Sequence, residues 1–338
     1  MTEATSGLTK KDFTSDREVR WCPGCGDYAI LSTVQSLLAE VGARPETTVF
    51  VSGIGCSSRF PYYMDTYGFH SIHGRAPAVA TGLAIARPDL DVWVITGDGD
   101  GLSIGGNHLV HALRRNVNLK VLLFNNEIYG LTKGQYSPTS PIGSVHKSTP
   151  MGSIDRPLNP VSLALGAEAT FVARSIDADR AHLSEVLTAA YAHRGAAFVE
   201  IYQNCVVFND DAFIAVTGKE ERVVNQIRLR HGEPIVFGPG GERAVVAQGD
   251  GSLAIVPTGE AGDRVIVHDA HLPEPTTAFA LSRLAPSPTG PTPIGVFRSV
   301  AAPVYDDLLR EQVETARART PADLGALLAS GNVWDVTD

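Results

Sequence analysis

The sequence predicts an α/β protein, a doubly wound and mostly parallel sheet with a C-terminal extension. Two observations carry that prediction. Apolar runs short enough to be buried strands alternate with segments of helical periodicity from residue 27 to about residue 212. Two of those runs, Val92–Thr96 and Leu119–Phe124, end in polar residues, Gly97-Asp98-Gly99-Asp100 and Asn125-Asn126, with a helix-like segment from Ser103 to Arg115 between them. Strand, crossover helix and strand form a βαβ unit, so both strands run parallel and end on one edge. Open α/β sheets bind ligands in the crevice at that edge.

In chain order, residues 1–20 are polar and read as an arm. Trp21-Cys22-Pro23-Gly24-Cys25-Gly26 is a tight, glycine-rich turn, and Asp27 is placed to cap the helix that follows. That helix repeats apolar residues at helical spacing (Ile30, Leu31, Val34, Leu37, Leu38, Val41) and stops at Gly42. Thr47–Val51 reads as a buried strand feeding Ser52-Gly53-Ile54-Gly55-Cys56-Ser57, and a polar, aromatic loop then leads to His70-Ser71-Ile72-His73-Gly74-Arg75. Pro77–Ala86 is a helix of small residues suited to close packing. After the βαβ unit, the loop from Gln135 to Pro160 holds five prolines, a length usually reserved for lids or binding segments. A short helix is expected over Asn159–Gly166, a strand over Thr170–Arg174, and a helix over Asp179–His193 capped by Asp177 or Asp179. The strand Ala197–Tyr202 delivers Gln203-Asn204-Cys205 and closes a domain spanning 21–212. The remainder, 213–338, changes character: short β-like segments at 234–237, 244–246 and 264–268, a proline-rich stretch at 286–293 and a helix over Ala302–Arg317. It carries no catalytic pattern and reads as a structural or subunit-contact extension.

Composition narrows the function classes. With 43% hydrophobic and 19% charged residues the 338-residue chain is ordinary for a globular protein, and a net charge of −9 disfavours a nucleic-acid partner. No apolar run approaches the roughly 18 residues needed to span a bilayer, and the N-terminus lacks a signal-peptide core. The expected address is the cytoplasm, where cysteines serve as ligands more often than as disulfides.

Cys22, Cys25, Cys56 and Cys205 are the four cysteines, with 30 residues between Cys25 and Cys56 and 148 between Cys56 and Cys205. Cys56 and Cys205 both follow strand ends, so they share the edge that carries Asp98 and Asn126. Half a zinc ribbon, free buried thiols and a [4Fe–4S] cluster all remain open on the cysteines alone. Asp98 and Asn126 offer a carboxylate and an amide oxygen, which suit Mg²⁺ and hence a phosphate. Gly97 and Gly99 allow close backbone approach. The 28-position spacing of Asp98 and Asn126 matches the thiamine diphosphate motif, against a nucleotide site or a structural turn.

Taken together, WCPGCG, GIGCSSR, IHGRA, GDGDGLSIGGNH, NNEIYGLTKGQ and QNCVVFND, in that order from Trp21 to about Asn209, resemble the β subunit of 2-oxoacid:ferredoxin oxidoreductases. The wording of GLTKGQ and QNC resembles the 2-oxoglutarate branch most. The resemblance implies a thiamine diphosphate-binding fold. It implies that Cys22, Cys25, Cys56 and Cys205 hold a [4Fe–4S] cluster and that Asp98, Asn126 and the Ile128 carbonyl hold Mg²⁺. Ile54, Gly55, Cys56, Ser57 and His73, with Gly99, Asp100, Gly130 and Leu131, match positions around thiamine diphosphate. The implied reaction takes 2-oxoglutarate, CoA and oxidised ferredoxin to succinyl-CoA, CO₂ and reduced ferredoxin, with pyruvate or branched-chain 2-oxoacids as alternative substrates. Lys133 or Arg59 is expected to engage a substrate carboxylate. The glutamate that activates thiamine diphosphate is absent from any recognisable motif; in the family it comes from an α subunit, so an αβ or (αβ)₂ enzyme is expected. A non-redox thiamine diphosphate decarboxylase with structural or zinc-binding cysteines and a non-catalytic cofactor-binding subunit are the competing readings.

Overall fold

The computed structural model describes residues 7–284, 290–319 and 322–337. The N-terminal segment does more than project: a short 3₁₀ turn, Lys10–Phe13, buries Phe13 completely against the first helix. That helix, α1 (Asp27–Glu40), buries Ile30, Leu31, Val34, Leu37 and Leu38, and the chain leaves it through Gly42 at φ +71°. Asp27 does not cap it. Gly26 occupies the cap position and Asp27 is the first helical residue, its carboxylate buried beside Asp177. Burial first, and then the Asp177 charge, push Asp27 up to about 7.

The chain continues through β1 (Thr48–Ser52), β2 (Tyr67–His70), α2 (Ala76–Ala86) and β3 (Asp91–Gly97). The helix expected over Ser103–Arg115 is α4 (Gly106–Arg114), and a separate short helix that the sequence did not suggest, α3 (Asp98–Leu102), precedes it across a break at 103–105. The break has a packing cause. A side chain on Gly105 would strike the Asp100 carbonyl and the Gly74 backbone, and one on Gly74 would strike Gly105, so the two glycines let the loop before α2 press into the bend. Then follow β4 (Lys120–Asn125), the hairpin β5 (Ile128–Tyr129) and β6 (Gln135–Tyr136), α5 (Pro160–Gly166), β7 (Phe171–Ile176), α6 (Arg180–Ala192) and β8 (Ala197–Tyr202). Asn159 caps α5 and Asp179 caps α6 through side-chain oxygens.

Beyond residue 212 come β9 (Gln226–Leu229), β10 (Val236–Phe237), β11 (Arg243–Ala247), β12 (Leu253–Pro257) and β13 (Thr292–Ser299), with a helix over Tyr305–Arg319. The principal sheet has the order β2-β1-β3-β4-β8-β7-β13-β9. It is parallel except where β13 meets β7. The residues expected as an extension therefore supply two strands of the main sheet, β9 and β13, and a small antiparallel sheet β10-β11-β12. The strand expected at 264–268 is reduced to isolated bridges at Val265 and Val267. Part of the proline-rich stretch, residues 286–289, lies outside the described residues, and its end opens β13.

Both faces of the sheet are covered, so β1, β4, β7 and β8 are buried at every residue. Alternation sorts their side chains: Val94, Val121 and Leu123 join one core with α2, α4 and α5, while Trp93, Leu122 and Phe124 join the other with α1 and α6. The order reverses direction between β1 and β3, the kind of switch point at which a crevice opens. Among the described residues no helix is long and apolar enough to cross a membrane.

Candidate active site

Two cavities open at the carboxyl edge of the sheet. The first is lined by the loop after β1 (Ile54 to Ser57), His73, the start of α3 (Asp98, Gly99, Asp100) and the segment after β4 (Asn126, Ile128 to Thr132). Every residue expected around thiamine diphosphate or Mg²⁺ lies here. The second is lined by Cys22, Cys25, Cys56 and Cys205 together with Trp21, Arg20, Arg59, Lys133, Gln203 and Phe208. Cys56, Asn126, Gly130 and Leu131 line both and form the wall between them.

In the first cavity Asp98 is buried, which pushes its carboxyl up to about 6 against the opposing pull of hydroxyl donors. Those donors are Ser137 Oγ at 2.5 Å and Thr139 Oγ1 at 2.6 Å, both on Oδ2. They come from the proline-rich loop, which folds back over the β3 end. Thr139 also lies 2.9 Å from Asn125 Oδ1, and Asn125 Nδ2 donates to Glu200 at 2.8 Å. Glu200 in turn accepts from Arg174 at 2.7 Å, so a buried polar chain runs from the cavity into the sheet.

Asp100 sits beneath the cleft as a tie. Its Oδ1 accepts from the backbone N–H groups of Gly74 (2.7 Å) and Ile54 (3.1 Å), and its Oδ2 from Thr96 Oγ1 (2.7 Å). His73 Nδ1 stands 2.8 Å from Asp100 Oδ1 but out of line for a hydrogen bond. Gly99 is pressed by the Tyr129 ring, whose hydroxyl donates to the Gly99 carbonyl at 2.9 Å. Asn126 Oδ1 accepts from Ile128 N at 3.2 Å, and the Ile128 carbonyl accepts from Gly130 N at 3.1 Å. Glu127, at φ +57°, turns into the protein; burial, then the charges of Asp98 and Glu200, push it up to about 8. A carboxylate, an amide oxygen and a backbone carbonyl from residues lining one cavity are hard-oxygen donors of the kind Mg²⁺ takes with a diphosphate.

In the second cavity Trp21 Nε1 donates to the Cys56 carbonyl at 2.7 Å, and Gln203 Nε2 donates to Cys25 Sγ at 3.3 Å. Gly130 faces the sulfurs of Cys205 and Cys56. Burial, reinforced by the Asp27 carboxylate, pushes the Cys25 thiol well above the ordinary thiol range and Cys56 up to about 12. All four cysteines are free. Among the described residues no group of three or more His, Cys, Asp or Glu closes on a point where one metal ion would sit. Four soft donors around a shared cavity, with positive charge needed to stabilise their thiolates, fit a cluster of several irons. Arg59 and Lys133, expected beside a substrate, lie in this second cavity; Arg59 donates to the Arg20 carbonyl at 3.1 Å, and Lys133 holds a left-handed φ of +76°.

Sequence reasoning missed Ser137 and Thr139, whose only sign was a run of hydroxyl residues in the loop. It also missed Gln203, although its place after the β8 end, beside Asn126 after the β4 end, follows from strand adjacency.

Comparison with known proteins gives the family. Residues 53–201 match the family described as thiamine pyrophosphate enzyme, C-terminal TPP binding domain. The chain is 63% identical over 332 residues to the 2-oxoglutarate oxidoreductase subunit KorB of Mycobacterium tuberculosis, covering 96% of this chain and 88% of that protein. It is 44% identical to the β subunit of 2-oxoacid:ferredoxin oxidoreductase 2 of Aeropyrum pernix, over 68% of this chain and 73% of the relative. Among solved structures, 2-oxoglutarate:ferredoxin oxidoreductase from Magnetococcus marinus, with 2-oxoglutarate, coenzyme A and succinyl-CoA bound, superposes with a TM-score of 0.77 at 35% identity, covering 97% of this chain and 98% of that one. The chain carries a thiamine pyrophosphate-binding domain and belongs to the family of β subunits of 2-oxoacid:ferredoxin oxidoreductases.

Proposed function

We propose that this chain is the β subunit of a cytoplasmic 2-oxoglutarate:ferredoxin oxidoreductase. With an α subunit, in an αβ or (αβ)₂ enzyme, it takes 2-oxoglutarate, CoA and two oxidised ferredoxins to succinyl-CoA, CO₂, two reduced ferredoxins and a proton. The observation that carries the reading is the wall of Cys56, Asn126, Gly130 and Leu131 shared by the two cavities. A redox-inactive decarboxylase has no use for four thiols one wall away from its diphosphate site. When bound, thiamine diphosphate supplies the nucleophilic carbon and the electron sink for decarboxylation.

The chain's own residues have separable tasks. Asp98, the Asn126 side chain and the Ile128 carbonyl would hold Mg²⁺ beside the diphosphate. Asp100 fixes the loops that carry Ile54 and His73 against the cofactor. Cys22, Cys25, Cys56 and Cys205 would hold a [4Fe–4S] cluster, which would supply one-electron chemistry. Lys133 and Arg59 are the cations offered to the distal carboxylate of the substrate, and the name of the Mycobacterium tuberculosis relative and the ligand of the Magnetococcus marinus enzyme support a dicarboxylic 2-oxoacid. The acidic side chains lining the first cavity are Asp98 and Asp100, both spoken for, so the activating glutamate comes from the partner.

The test is anaerobic co-purification with the α subunit, followed by iron and acid-labile sulfide analysis and CoA-dependent ferredoxin reduction across a panel of 2-oxoacids. We expect four irons per chain and 2-oxoglutarate as the best substrate. A Lys133→Ala enzyme should lose rate with 2-oxoglutarate more than with pyruvate. An iron-free complex that still decarboxylates would replace this reading with the non-redox one.

A further inference from the structure

The register of β4 on β8 pairs Asn125 with Tyr202, so the next residues, Asn126 and Gln203, leave the sheet side by side. Gln203 is 1% exposed, and its amide is fully engaged. Its Oε1 accepts from Asn126 Nδ2 at 2.8 Å, while Nε2 donates to Cys25 Sγ at 3.3 Å and to the Asn204 carbonyl at 2.5 Å. The orientation of both amides is decided by a group that cannot turn round. The Ile128 backbone N–H only donates, so the Asn126 atom it meets at 3.2 Å is the oxygen. Asn126 Nδ2 then faces Gln203 and requires an acceptor, and Gln203 is left with its N–H bonds toward Cys25.

We propose that Gln203 is a positioning residue for both cofactors at once: it turns the Asn126 amide oxygen toward the cation and donates an N–H···S hydrogen bond to the Cys25 ligand of the cluster. The inference rests on the proposed function. Its physical content is twofold. An amide held at one end by Gln203 and at the other by Ile128 N–H keeps one oxygen lone pair aimed for the metal, in the manner of partners that orient metal ligands. A donor at a cluster sulfur stabilises the extra negative charge of the reduced state and so raises the reduction potential. One side chain thereby fixes the acceptor's position and its potential relative to the site where electrons are released.

Two variants separate the two tasks in the αβ enzyme purified anaerobically. Gln203→Glu keeps an acceptor for Asn126 and loses the N–H; Gln203→Met is of similar length and loses both. Redox titration followed by electron paramagnetic resonance should give a more negative cluster midpoint for both. Equilibrium dialysis of thiamine diphosphate against limiting Mg²⁺ should show about tenfold weaker retention for Gln203→Met alone. In the unsubstituted enzyme labelled with ¹⁵N in glutamine side chains, pulsed resonance of the reduced cluster should show a weak ¹⁵N coupling that either variant removes. A midpoint equal to that of the unsubstituted enzyme in variants retaining full iron and sulfide overturns the inference, and so does absence of the ¹⁵N coupling. An unsubstituted enzyme without iron or sulfide would instead defeat the functional reading beneath it.

Discussion

If Asp98 is the Mg²⁺ ligand of the proposed function, Ser137 and Thr139 set how well it serves, because both hydroxyls fall on the same buried oxygen. Removing them leaves that oxygen unpaired and drives the carboxyl further above about 6, so it resists ionising when Mg²⁺ arrives. Ser137→Ala combined with Thr139→Val should raise the Mg²⁺ needed for half-maximal thiamine diphosphate retention by about ten- to a hundredfold, read by dialysis at pH 7. Thr139→Ser should restore most of it. A different residue contributes to acid sensitivity. His182, bonded to Ser175 Oγ at 2.8 Å, is lowered from 6.5 to about 4 by burial, with Arg228 adding to the effect. Between those values the unfolded chain binds a proton that the folded chain refuses. Stability from this site is full above pH 6.5, falls as pH drops toward 4 and falls no further below it. The loss is on the order of 3 kcal/mol. Unfolding free energies from urea titrations at pH 7 and pH 4.5 should differ by nearly that much less in His182→Gln than in the unsubstituted chain; equal differences would clear His182 of the role.

Short elements carry the constraints that sequence patterns do not show. Gly99 in α3 has the Tyr129 ring of β5 against its Cα, and a methyl group there would occupy the ring's position. Gly99→Ala should cost about 1–3 kcal/mol as the ring is displaced. Adding Tyr129→Ala should recover part of that, since the two changes act on one contact. Thermal melts of the single and double variants check the non-additivity; strictly additive losses would mean the ring is not the obstacle. The same contrast separates what was legible from what was not. β3, β4 and β8 could be read because strands buried on both faces are continuous apolar runs with polar ends, and those ends named Asp98, Asn126 and Cys205. β2 could not, since all four of its residues are exposed and no apolar run marks it. The α3–α4 break was invisible because it depends on Gly74 and Gly105 meeting across 30 residues of chain. β13 was hidden for another reason: it joins β7 antiparallel from a proline-rich region, and only tertiary pairing makes it a strand of the main sheet.

At the scale of the whole molecule, the site is open on the side where its chemistry is incomplete. Leu131 lines the first cavity at 44% exposure, and Ile72, next to the lining His73, and Ile104, against Gly74, are 70% and 54% exposed, so apolar side chains stand uncovered near that cavity. The loop beyond Ser140 adds Met151 and Ile154, each at least 90% exposed. Isolated exposed apolar residues are common, but a group flanking a cavity that lacks its activating acid marks the face a partner covers. On the proposed function that partner is the α subunit, which would bring the activating glutamate to the same opening. The chain alone should therefore retain thiamine diphosphate poorly and turn over no 2-oxoacid, and addition of the α subunit should restore both. Hydrogen–deuterium exchange locates the contact: protection on α binding should appear at 72–75, 103–106, 130–134 and 141–158, while the solvent-exposed 322–337 keeps its rate. Protection confined to the small β10-β11-β12 sheet would place α elsewhere and leave the cavity's missing acid to be found within this chain, with Glu127, already raised to about 8 and one residue from Asn126, the first to substitute.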